Sequence, residues 1–209
     1  DRVYAHGDPL SGSKRGIALH SAWTSIKNSY LSDFKSDFQD AQAIGGWNGP
    51  GPYRIENNYL EASGENIMFG GAAPSIQGLI PSDIEVINNH LRKPPEWRGV
   101  WRLKNLFELK NAQRVSVWGN FFENNWVAAQ SGYAVLFTVR TCEAGDYSWS
   151  VVRDVSFTYN YLTNVAGGVN IMGQDDIRSA CGGGTAGQTS NIVVSNNIFE
   201  KIDNVFMII

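Results

Sequence analysis

Charge is scarce in this chain. Asp, Glu, Lys and Arg make up 18% of its 209 residues, below the usual quarter, and the net charge is −3. The Lys and Arg residues are scattered, so no basic cluster gives the footprint of a nucleic-acid-binding surface. No apolar run approaches the roughly 18 residues that a membrane-crossing helix needs. The three His residues lack H-x-H or H-E-x-x-H spacing. There is no Ser/His/Asp nucleophile signature, and GGGTAG (182–187) lacks the Lys and the strand-to-helix setting of a phosphate loop. The first residues already fit the middle of a repeat, with no initiator Met or signal peptide before them. The expectation is a processed or truncated piece of something longer.

What the chain does hold is Gly (22 residues), aromatics (12%) and a repeat. Ile84-x-Val86-x-x-Asn89-x-Leu91 recurs as Val115-x-Val117-x-x-Asn120-x-Phe122, with the two Asn 31 positions apart. An apolar pair at period two is a strand with one buried face. The Asn then marks a corner, through its tolerance of left-handed backbone angles, and a second strand follows. Further copies place corners at Asp1, Ser29, Asn58, Asn89, Asn120, Asn160 and Asn197, with gaps of 28, 29, 31, 31, 40 and 37. In the first copy, DRVYAH aligned with NYLEAS sets Val3 at a buried position.

Each repeat carries one more short strand: GIALHS (16–21), QAIGGW (42–47), NIMFGG (66–71), LFELKN (106–111), AVLFTVR (134–140), GVNIMG (168–173) and NVFMII (204–209). Recurrence at about 30 residues indicates a solenoid. The expectation is an all-β, right-handed, single-stranded parallel β-helix of about seven coils. Residues 1–209 form one domain lacking one or both caps, and the five Asn corners stack as a ladder.

Cys142 and Cys181 fall in loops after strands of adjacent repeats. Stacked repeats bring these loops to one face, so the pair is read as a disulfide, with two free thiols as the alternative. A bridge stabilises by about 3–4 kcal/mol in the chain-entropy model and implies export.

With HGDPLSGSKRGIALHS (6–21), AIGGWNGPGP (43–52) and ENIMFGG (65–71), the pattern resembles the parallel β-helix of the pectate-lyase-like superfamily, in particular its uncharacterised bacterial members. The resemblance covers essentially the whole chain. It implies a secreted, cell-surface or periplasmic protein that engages polysaccharide, as a lyase or glycoside hydrolase acting on acidic glycans. Fold alone does not carry that activity, since the scaffold hosts several chemistries.

Ligands of such a scaffold bind on an outer face. With Ile17/Leu19, Ile67/Phe69, Phe107/Leu109, Val135/Phe137 and Val169/Ile171 inward, two columns point out: Ala18, Ile44, Met68, Glu108, Leu136, Asn170 and His20, Gly46, Gly70, Lys110, Thr138, Met172. Glu108, Lys110, Thr138, Arg140 and Asn170 form a polar knot, and the small residues beside Trp47 leave a trough for a sugar. Lys110, Arg140 and Glu108 are the catalytic candidates. The plainer expectation for these three is cross-strand ion pairing on a solvated sheet. Uronate elimination needs a cation on the sugar carboxylate and an Arg or Lys to take the adjacent proton. In the superfamily that cation is often Ca²⁺ held by carboxylates, for which Asp8, Asp33, Asp37, Asp40, Glu65, Asp175 and Asp176 are available. The family's tryptophan-isoleucine-aspartate-histidine and arginine-proline strings are absent.

Asp175-Asp176 resembles the adjacent aspartates of polygalacturonase-type hydrolases. His6, Asp8, His20 and Asp40 are the one His-centred set that could converge on a metal. Trp47, Tyr53, Trp97, Trp101 and Trp126 lie on or near loops, either stacking on sugars or packing loops onto the body. His20, Trp47, Asn170, Thr138, Asp175 and Asp176 are thus the substrate-binding candidates. The competing functions are a non-catalytic stalk or fibre subunit stacking end to end, and a carbohydrate-binding module.

Overall fold

The computed structural model describes residues 1–141, 146–174 and 185–209. The chain is all-β with three large parallel sheets, a stacked arrangement compatible with a parallel β-helix. Among the described residues the only helical segment is one 3-10 turn, Pro95–Trp97. Parallel strands cannot be joined by a tight hairpin. Here the chain returns to each sheet only after passing through the other two.

The first sheet, called the pre-corner sheet, holds the I-x-V strands: Thr24–Lys27, Tyr53–Glu56, Ser82–Ile87, Ala112–Trp118, Val152–Thr158 and Thr189–Ser195. The post-corner sheet holds Tyr4–His6, Tyr30–Phe34, Tyr59–Ala62, His90–Arg92, Phe121–Asn125, Tyr161–Val165 and Ile198–Ile202. The closing sheet holds Arg15–Ala18, Gln42–Gly46, Glu65–Phe69, Phe107–Leu109, Tyr133–Thr138, Gly167–Met172 and Met207–Ile208, each within or overlapping a short strand read from the sequence. Inward residues from all three sheets, Ile55, Val86, Val117 and Phe157 with Leu60, Leu91, Phe122, Ile67, Phe107 and Val135, form one core. Alternation along each strand sends every second apolar side chain there.

At the corners, Asn58, Asn89, Asn120 and Asn160 each donate from Nδ2 to the Oδ1 of the next corner Asn at 2.9, 3.0, 3.0 and 3.1 Å, the series ending on Asn197. The same oxygens accept backbone N–H groups, as Asn120 Oδ1 does from Asn89 N at 2.9 Å. Each of these amides also donates to a backbone carbonyl deeper in the stack, Asn89 to Ile55 O at 2.9 Å for example. The physical role of the corner Asn differs from the expected one. The left-handed backbone belongs to the preceding residue, at Asn28, Asn57, Asn88, Gly119, Tyr159 and Asn196. The corner side chain is needed for hydrogen bonding inside, so the backbone turn is taken one residue earlier. At Gly119 (φ 68°) a Cβ would lie 2.3 Å from Asn88 Oδ1, so any other residue there requires the Asn88 side chain to move.

Two register expectations are corrected. Tyr4, Tyr30 and Tyr59 are in register, so Val3 and not Asp1 occupies the first corner position, and Val3 is half exposed instead of buried. Val3 N donates to Ser29 Oγ as the later corners bond to each other, and Arg2 carries the left-handed backbone (φ 57°). In the closing sheet, Ile44 pairs with Ile17 and Ile67 and is fully buried, while Gly45 takes the outward place beside Ala18 and Met68. A one-residue slip exchanges the faces of a strand, and burying Ile instead of Gly decides which register wins. Gly46 accordingly turns towards Leu19 and Phe69 instead of outward.

Candidate functional site

The outer face of the closing sheet is not a bare wall. The insertion between Arg92 and Leu106 folds against it and against the adjoining corner. Its Trp97, Trp101 and Leu103 pack with Trp126 into a second apolar cluster. Lys35 Nζ sits 5.2 and 5.1 Å from the Trp97 and Trp101 rings, and Arg98 lies 4.9 Å from that of Trp126. Tyr53 is a core residue whose hydroxyl donates to Ser21 O at 2.6 Å. Of the five loop aromatics, only Trp47 lines the cavity at this face; the other four hold structure together.

On this sheet Glu108 and Lys110 are 2% and 9% exposed and form an ion pair at 3.4 Å. The expectation of solvated pairing is therefore corrected: both groups are withdrawn from water, with the Gly71 turn close against the Lys110 stem. Asn105 Nδ2 donates to Glu108 Oε2 at 3.2 Å. Glu65, fully buried, accepts from Gln42 Nε2 at 2.7 Å, and Gln42 Oε1 in turn accepts from Arg15 at 2.7 and 3.0 Å. Lys104 reaches from the insertion to Asp40 at 2.5 Å and to Glu65 at 3.7 Å. Three carboxylates, two lysines and one arginine are thus joined under the loops. Burial, then the charge of Glu108, raises the Glu65 pKa, with Lys110 and Lys104 opposing. Burial pulls Lys110 down, but Glu108, Glu65 and Asp40 outweigh it and the net shift is upward. Lys110 is a fixed cation at neutral pH.

Beside this network opens a cavity of about 290 Å³ lined by Lys14, Arg15, Asp40, Gln42, Trp47 and Lys110, among others. Arg15 stacks on the Trp47 ring at 4.7 Å, and His20 meets that ring edge-on at 4.2 Å. Burial, followed by the charge of Arg15, lowers the His20 pKa, so this imidazole is neutral at neutral pH. Outward Gly45 leaves the space: a Cβ there would lie 3.3 Å from Arg15 Nε. Gly70 lines the same cavity in a left-handed conformation (φ 90°), with a Cβ position only 2.3 Å from Asn111 N. Three cations and one carboxylate around an aromatic ring suit a flat anionic ligand.

The structure brings together Trp47, His20, Lys110 and Glu108 from the sequence-read set, with Arg15, which the sequence offers as a basic candidate beside Lys110 and Arg140. Thr138 is buried at the next strand, its Oγ1 without a hydrogen-bond partner. Arg140 follows it, and its backbone N donates to Lys110 O at 2.9 Å. Asn170 lies two strands beyond Glu108 in the same register row, outside the cavity lining. Asp175, Asp176, Cys142 and Cys181 lie outside the described residues, and so does the bridge read for the cysteines. Sequence reasoning missed Gln42, Lys104 and Asn105. Gln42 had a signal, since Arg15, Gln42 and Glu65 stand in register at three successive strand starts.

Among the described residues no cluster of three or more His, Cys, Asp or Glu has the arrangement of a metal site. His6 pairs with Asp33 at 2.7 Å instead of converging with Asp8, His20 and Asp40. Asp8 caps its own turn, accepting from Leu10 N and Ser11 N at 2.9 and 2.7 Å. No helix among the described residues is long and apolar enough to cross a membrane. No protein-family model, curated protein or solved structure matches the chain.

Proposed function

We propose that this protein is a right-handed parallel β-helix of about seven coils with an asparagine ladder, of the pectate-lyase-like superfamily, which engages acidic polysaccharide outside the cell. The observation that carries the reading is the cavity at the closing sheet. Trp47 offers a ring for stacking on a sugar, and Lys14, Arg15 and Lys110 offer cations to a uronate carboxylate. His20 supplies an uncharged imidazole beside the Trp47 ring, and Gln42, bonded to Arg15 and Glu65, fixes the Arg15 guanidinium. A Lys held protonated by three carboxylates suits the neutralisation of a substrate charge better than the uptake of a proton. Glu108, nearly fully buried, serves to hold Lys110 instead of meeting a sugar directly.

Cleavage is the second reading, favoured by the backbone bond that fixes Arg140 next to Lys110 at the sheet's edge. In that reading Lys110 holds the uronate carboxylate, Arg140 takes the adjacent proton, and the C4–O glycosidic bond breaks, leaving an unsaturated uronide and a leaving-group oxygen that takes its proton from water. The test is native gel electrophoresis through polygalacturonate, alginate and uncharged controls, with parallel assay for unsaturated uronides with and without Ca²⁺. The reading predicts retardation by a uronate polymer that weakens with salt and is lost in Trp47→Ala. Unsaturated product lost in Arg140→Ala adds cleavage. Equal mobility in every gel, with no product, would falsify both.

A further inference from the structure

The outer face of the pre-corner sheet holds a larger groove, of about 550 Å³, that the acidic-glycan reading does not use. Its floor is the outward row Ser25, Arg54, Glu85 and Ser116, in register across four parallel strands. Along one side runs the row that precedes each strand's first inward residue, with Trp23 at one end and Asp83, Arg114 and Asp154 further along. All four of these residues are left-handed (φ 53–58°). Asp and Asn tolerate that conformation; for a bulky residue it is an outlier.

Trp23 has this strained backbone and is also 86% exposed. It therefore contributes neither relaxed geometry nor burial to the fold. Trp118 stands on the same face by strand alternation and is 41% exposed. The two Trp are three strands apart, about 14 Å along the stack at the usual strand spacing.

The charges of this groove are already spent on each other. Arg114 holds Asp83 in a two-pronged pair at 2.7 and 2.8 Å, and Arg54 bridges Glu56 and Glu85 at 2.8 and 2.6 Å. Asp154 is likewise engaged, by Arg153 at 4.0 Å and Asn191 Nδ2 at 2.6 Å, and the Ser25, Thr24 and Ser116 hydroxyls lie nearby. Such a surface offers a polyanion no unpaired cation and presents paired donors and acceptors to a neutral, hydroxyl-rich chain, with an open indole to stack on its ring faces.

We propose that this groove is a second carbohydrate site, one that takes a chain of uncharged sugars with Trp23 as its stacking platform. It is independent of the closing-sheet cavity and does not share that cavity's preference for anions. The experiment is native electrophoresis of the whole chain through gels containing hydroxyethylcellulose, glucomannan or polygalacturonate, for wild type, Trp23→Ala, Trp23→Phe and Trp47→Ala. Expected is retardation of wild type by an uncharged polymer and about tenfold weaker apparent affinity in Trp23→Ala. Trp23→Phe should recover part of that loss, and Trp47→Ala should behave as wild type in the uncharged gels. Polygalacturonate mobility should not respond to Trp23→Ala, so failure of the acidic-glycan reading would be visible separately. No retardation of wild type by either uncharged polymer, unchanged retardation of Trp23→Ala, or loss through Trp47→Ala instead would each overturn the proposal.

Discussion

On the closing sheet's outer face, the Lys110 and Glu108 side chains are 11% and 2% exposed; on the pre-corner sheet's, Arg114 and Asp83 are 49% and 53% exposed. Both pairs stand on parallel strands of one stack and use the same chemistry. The difference is burial: Lys104 and Asn105, at the end of the insertion before Leu106, bond into the first group, and the second stays open. An exposed pair gains little, because water competes with it and salt screens it. A covered pair is different. Its members have lost their hydration, so removing either one strands the other. The covered face can therefore hold a cation in one place for a ligand, while the open face offers neutralised charge around an aromatic ring.

Substitutions at the two faces should separate this contrast. The largest effect is expected from Lys110→Met, which removes the cation paired with buried Glu108 and leaves Glu65 with Lys104 alone. Urea unfolding should show a loss of about 3 kcal/mol. Adding Glu108→Leu should restore part of that loss, since a matched apolar pair leaves no stranded charge; a double-mutant cycle reads the coupling. Smaller and pH-dependent is Glu65→Gln. The folded-state pKa of Glu65 lies above its ordinary value, so its protonated form binds more tightly in the fold. Its stabilising effect is full below the ordinary carboxylate range and is lost as pH rises through the raised pKa. The stability difference between wild type and Glu65→Gln should shift against wild type as pH rises through that window, which urea midpoints at several pH values will show. Smallest is Arg54→Met on the open face, which should leave the urea midpoint where it is. A drop as large as that of Lys110→Met would erase the distinction between covered and open faces.

Lys93 extends the contrast to the corner of the closing sheet. Its ammonium is fully buried and donates to Ala62, Ser63 and Gly64 carbonyls at 2.6, 3.2 and 2.5 Å. Burial pulls its pKa down to about 7, with the charge of Glu65 opposing. With the folded pKa below the unfolded one, stability contributed by this group rises between about pH 7 and the ordinary lysine range. Lys93→Met should flatten that rise in a urea series across the same pH range.

The stacking of strands was legible because the Asn corners recur at one offset from an apolar pair, and both neighbours of each corner must obey strand alternation. Register was less legible where the pattern thins. QAIGGW offers a single large apolar residue between small ones, and DRVYAH offers Val3 and Ala5 at period two, so its template fits at two offsets. In each case packing of Ile44 or Tyr4 decides, and packing involves residues about 25 positions distant. The polar knot was readable as a row of outward Glu108, Lys110 and Thr138, but its burial was not. Lys104 reaches back 64 residues to Asp40, a contact with no periodic trace. Loops that lie over a regular scaffold follow their own side chains, so the covered site emerges only when both are placed together.

The most direct check on the central claim is calorimetric titration of the protein with a uronic-acid oligosaccharide at two salt concentrations. The account predicts saturable binding that weakens at high salt and disappears in Trp47→Ala. Heat that is insensitive to salt, or binding that survives removal of the Trp47 ring, would contradict a cationic sugar site at the closing sheet.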